Sequence, residues 1–72
     1  MKRSAALKRI KAEAKRQRIN WEIDREGANH TVYRLGQTMI PVPRHAELDD
    51  EFVENKLFKE CEAELGRKWW KR

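Results

Sequence analysis

The sequence predicts an α+β fold, a two-layer sandwich of order α-β-β-β-α in which a three-stranded antiparallel sheet carries both helices on one face. Three observations predict it. Apolar residues recur at helical spacing over residues 5–17, the period falls to two from Ile19, and four-residue spacing returns from Val53 to Leu65. Two amphipathic helices each need an apolar surface, and in a chain of 72 residues one face of the sheet is the surface on offer.

Taken in order, the first helix is expected over residues 5–17 with Ser4 as its N-cap. Leu7, Ile10 and Ala14 make a thin stripe with Ala6 beside it, while Lys8, Arg9, Lys11, Lys15 and Arg16 turn a basic face to solvent. No Gly or Pro fixes its end. Ile19, Trp21 and Ile23 then alternate with Asn20, Glu22 and Asp24, as a strand with one buried face requires, so Trp21 reads as core. Glu26-Gly27-Ala28-Asn29 supplies turn residues, with Gly27 the expected site of positive φ. His30 to Leu35 is a second strand, although Val32, Tyr33 and Leu35 do not all fall on one side. Leu35-Gly36-Gln37-Thr38 is a short hairpin connection. In the third strand, Thr38 to Pro43, the two prolines remove N–H donors from one side only; that side faces outward and makes this an edge strand paired with the second.

Asp49 or Asp50 opens the second helix, with acids suited to the positive end of its dipole. Val53, Leu57, Cys61 and Leu65 fall four apart with Phe58 alongside, which makes Cys61 a core residue, and Gly66 is a natural stop. Residues 1–65 thus form one domain. Residues 66–72 follow as a basic tail whose Trp69 and Trp70 could stack on unpaired bases or pack against protein.

Composition excludes several classes. One cysteine allows no internal disulfide and carries no zinc-ligand spacing, and the apolar runs are too short for a signal peptide or a membrane span. A cytoplasmic location is expected, with no membrane and no cofactor. Charge is unevenly distributed. Residues 2–18 hold eight Lys/Arg against Glu13 alone, whereas residues 47–64 hold eight Asp/Glu against Lys56 and Lys59. A basic first segment suits a polyanion such as RNA, through counterion release, and equally suits a solvated helix face.

The chemistry concentrates between Gly27 and Glu47, which contains both histidines. RNA carries its own nucleophile in the 2′-hydroxyl, so an enzyme that cleaves it needs a base for that proton and cations for the phosphate. Histidine, with an ordinary pKa of about 6.5, suits the first task. His30 is the candidate base, with Arg34 and Arg44 as phosphate contacts, Asn29 as a residue that could orient the imidazole, and Lys8, Lys11 and Lys15 as backbone contacts. A histidine beside a turn is also commonly just a surface residue.

Gly27-Ala28-Asn29-His30, Thr31-Val32-Tyr33-Arg34 and, at a matching spacing, Pro41-Val42-Pro43-Arg44-His45 with Glu47-Leu48 resemble the HicA toxin family of small mRNA-cleaving proteins. The resemblance spans roughly residues 4–65. It implies a fold like the double-stranded-RNA-binding domain, a metal-independent endoribonuclease activity with His30 as the catalytic residue, and a HicB-like antitoxin partner that covers the active face. It also implies that His45 is mainly structural, ordering the connection between the third strand and the last helix. Two features depart from the family pattern: no Gly closes the first helix, and Asp50-Glu51-Phe52 stands where many relatives open the last helix with Gly-Thr. Acids near the site would repel phosphates. A non-catalytic RNA-binding or partner-binding module on the same scaffold is therefore the alternative, whereas a DNA-binding regulator lacks a helix-turn-helix spacing to support it.

Overall fold

A computed structural model describes residues 1–71 and gives the expected order: α1 (Arg3–Gln17), β1 (Trp21–Glu26), β2 (His30–Leu35), β3 (Thr38–Pro43) and a C-terminal helical arm. The arm comprises α2 (Asp50–Phe52), a π-helical stretch (Val53–Phe58), α3 (Glu62–Leu65) and a 3-10 turn (Trp69–Lys71). Arg72 of the basic tail lies outside the described residues. Among those residues no helix is long and apolar enough to cross a membrane.

The first helix starts earlier than Ser4 would dictate. Lys2 is the N-cap, with no side-chain cap, and Ser4 lies inside the helix. Backbone pairing replaces the cap: the Arg3 N–H donates to the Ala46 carbonyl at 2.9 Å and the Leu48 N–H to the Met1 carbonyl at 2.9 Å, so one of the helix's orphan donors is satisfied by the distant chain. The other end is closed by Arg18 in the left-handed region, φ 60°. The Ile19 N–H reaches the Ala14 carbonyl at 2.8 Å and the Arg18 N–H reaches that of Lys15 at 3.1 Å, a Schellman closure usually built on glycine.

The sheet has the order β1-β2-β3, so β3 is an edge strand as the prolines require. Register assigns the faces of β2. Thr31 pairs with Val42, Tyr33 with Ile40 and Leu35 with Thr38, and Thr31, Leu35, Ile40 and Val42 are all buried. That face lies under the helices. His30, Val32, Arg34, Met39, Pro41 and Pro43 belong to the opposite, uncovered face. Gly36 takes φ +59° at the first position of the two-residue loop between β2 and β3, and the Glu64 carboxylate accepts from the Gln37 N–H at 3.1 Å and the Thr38 hydroxyl at 2.7 Å, tying α3 to the hairpin.

Two expectations for the first hairpin are corrected. Gly27 lies outside the left-handed region, because the loop over residues 27–29 closes with the Gly27 N–H donating to the His30 carbonyl at 2.7 Å and needs no positive φ. The apolar face of β1 is buried only in part: Ile23 is 53% exposed, whereas Trp21 is half-buried and packs against the core as expected. Every fully buried strand residue belongs to β2 or β3, so the helices cover β1 only in part, and its register shifts between Ile23 and Arg25. Trp21 compensates by stacking on Tyr33, with ring centroids 4.3 Å apart and planes within 1°.

The arm explains its own four-residue stripe. In an α-helix of about 3.6 residues per turn, such a stripe drifts by roughly 40° per step, and a wider π turn takes that drift back. Val53, Leu57, Phe58, Cys61 and Leu65 all end buried in one core with Ala6, Ile10 and Ala14 of α1. Trp69 folds back onto that core. It is 4% exposed, donates its Nε1–H to the Phe58 carbonyl at 2.9 Å, and meets the Phe58 ring edge-on at 4.8 Å. Arg9 holds the same corner from α1, donating to the Trp70 carbonyl at 2.8 Å with its guanidinium over the Phe58 ring.

Candidate functional site

His30 opens β2, paired across the sheet with Pro43, and its exposed ring belongs to the uncovered face. Among the described residues, no group hydrogen-bonds either imidazole, so both ring nitrogens of His30 are available to a ligand. What holds the residue in place is the turn before it. Arg44, one residue past β3, wraps that turn: its Nη2 donates to the Ala28 carbonyl at 2.7 Å and also to the Gly27 carbonyl, and its Nη1 donates to Glu26 at 2.9 Å. The Arg44 N–H adds a longer bond of 3.4 Å to the Asn29 carbonyl.

A second arginine backs the first. Arg3, at the start of α1, donates to the Pro43 carbonyl at 2.8 Å and to the Thr31 hydroxyl at 3.2 Å, and that hydroxyl donates to the same Glu26 oxygen at 2.7 Å. Glu26 is thereby shared between Thr31 and Arg44. Thr31 is the one buried polar residue of the chain's described part, at 2% exposure, and burial is tolerable because its hydroxyl both donates and accepts. The network fixes the ends of β1, β2, β3 and α1 around the residue beside His30.

The residues expected to form the site do not all converge. Arg34 shares the uncovered face with His30, but four residues along a strand correspond to roughly 13 Å, which exceeds the reach of one phosphate. It also forms an ion pair with Glu22, whose hydrogen bond and charge raise the Arg34 pKa above its ordinary value. Arg44 is near, yet its guanidinium is engaged by carbonyls of the turn and by Glu26. The Asn29 side chain makes no hydrogen bond to His30. Lys8, Lys11 and Lys15 are exposed and without carboxylate partners among the described residues, but they lie on the helical layer, on the other side of the sheet from the His30 ring.

His45 is exposed and shares a shallow cleft with Pro43, Glu47 and Phe52. The connection it was expected to order is held by the backbone pairs to residues 1–3 instead. Asp50, one of the acids flagged as repelling phosphate, accepts from the Met1 ammonium at 2.8 Å. Among the described residues, no group of three or more His, Cys, Asp and Glu is placed to hold a metal ion.

Arg3, Glu26 and Thr31 escaped sequence reasoning. Arg3 and Pro43 are 40 positions apart, and no local period reports such a contact. Nothing in the sequence pointed to Thr31, because the buried face of β2 follows only from the register. Comparison of the chain with family models, curated proteins and solved structures finds no match.

Proposed function

We propose that the protein is the toxin of a type II toxin–antitoxin pair, a cytoplasmic, metal-independent endoribonuclease of HicA type that cleaves mRNA with His30 as general base. The observation that carries this reading is the exposed imidazole of His30, without a hydrogen-bond partner among the described residues, beside a turn clamped by Arg44. A base must be free to accept a proton and yet be held in one place, and general acid–base catalysis of this kind contributes roughly 10²–10⁴-fold. Arg44 serves first as a positioning residue, and it carries its positive charge into the same turn. Arg34 can exchange its exposed Glu22 partner for a phosphate, because surface ion pairs contribute little stability. A HicB-like antitoxin would act by covering the open sheet face that carries His30.

The test is RNA cleavage by the purified protein with EDTA present, compared with His30→Ala. The parent is expected to cleave and the variant to lose at least a hundredfold in rate with unchanged thermal unfolding. Equal rates would remove His30 from the mechanism. A second reading, a non-catalytic RNA-binding or partner-binding module, is favoured by one specific observation: both arginines expected at the phosphate already have protein partners. RNA binding without cleavage across several substrates, with or without metal, would select it.

A further inference from the structure

A groove of about 460 Å³ runs between α1 and the outer strand β1, lined by Leu7, Lys8, Lys11, Trp21, Ile23 and Tyr33 together with Ser4 and Glu22. Three features set it apart from an ordinary surface hollow. Its floor holds the parallel Trp21–Tyr33 pair, which the helices leave half-buried. Its lip carries Ile23, 53% exposed. Its helical wall presents Lys8 and Lys11, neither of which has a carboxylate partner among the described residues, while the single acid of the lining, Glu22, is already paired with Arg34.

We propose that this groove binds a single-stranded segment of RNA, with a base stacked on the Trp21–Tyr33 pair and the adjoining phosphates held by Lys8 and Lys11. Charge complementarity chooses the occupant. Two unpaired ammonium groups one helical turn apart favour a repeating anion, and an aromatic surface between them favours an anion that carries flat rings. Single-stranded RNA offers both at once. In a duplex the base faces are covered by their neighbours and cannot reach the pair. An acidic peptide would satisfy the lysines and leave the aromatic surface unused. The proposal takes the nature of the polyanion from the RNA reading above, but it does not depend on His30 chemistry.

The experiment uses the full chain carrying His30→Ala, so that nothing is cleaved, and a fluorescein-labelled ten-nucleotide RNA offered as single strand and as blunt duplex. The single strand is expected to bind at least tenfold tighter than the duplex. Lys8→Glu with Lys11→Glu should weaken it tenfold or more without moving the unfolding midpoint, and Trp21→Leu should weaken it while leaving salt dependence largely intact. Equal affinity for the two forms, or unchanged binding by the lysine double variant, overturns the inference. Loss of self-association by the Trp21 variant, with RNA binding intact, would also overturn it and assign the groove to a second copy of the chain. Cleavage by the His30 protein is scored separately: binding in the groove without cleavage sinks the catalytic reading alone, and cleavage with groove-independent binding sinks this one alone.

Discussion

The His30 end of the sheet and the C-terminal arm are built by different means. At the His30 end, four elements meet through polar groups: two arginines, a glutamate, a threonine and a row of backbone carbonyls. At the other corner, Phe58, Leu65 and Trp69 close the core by burial and by aromatic edges. Directional bonds hold a turn in one geometry while leaving its surface wet, as the role proposed for His30 requires. Apolar burial supplies stability without specifying where any one polar atom points. In a chain this small, position and stability are thus assigned to different regions.

The sharpest break of that division pairs two substitutions. Trp69→Ala should lower folding stability by about 3–5 kcal/mol in urea denaturation, whereas His30→Ala leaves the urea midpoint in place and removes activity. If instead Trp69→Ala were neutral, the arm would not be part of the core. Next in size, Arg44→Gln releases the turn. RNA cleavage should fall roughly ten- to a hundredfold through misplacement of His30, with kcat affected more than KM, and near-parental rates would show that the turn holds itself.

Cys61 probes the apolar corner by pH. Burial, with a smaller contribution from the charge of Glu60, pushes its thiol up to about 12. The folded state therefore favours the protonated form more than the unfolded state does, so this contribution is complete below about pH 9 and is lost as pH rises toward 12. Thiol labelling at pH 8 should proceed only through unfolding, and its rate should rise with urea; fast labelling in buffer would place Cys61 outside the core. The smallest effect concerns neither corner. Arg18→Gly relieves the left-handed residue that ends α1 and should raise stability by about 0.5–1 kcal/mol, read as a higher melting temperature.

Periodicity made the helices, the strands and the edge position of β3 legible, because each rests on side chains a few residues apart or on a proline's missing donor. The same logic misassigned Ile23. Alternation says which residues share a face, but it cannot say whether a neighbouring layer extends far enough to cover them. His30 was legible as a residue type beside a turn, and its exposure was not.

By itself the sequence determined the order of elements, the sheet's edge and the stripe that buries Cys61. Tertiary structure alone decided that Arg44 clamps the turn instead of standing free, that Arg3 reinforces it from the far end of the chain, and that Trp21 and Tyr33 form one surface. The physical reason is separation along the chain. A repeat pattern reports neighbours on a single element, whereas a hydrogen bond between residues forty positions apart exists only once packing has brought the strand ends and the helix start to the same place.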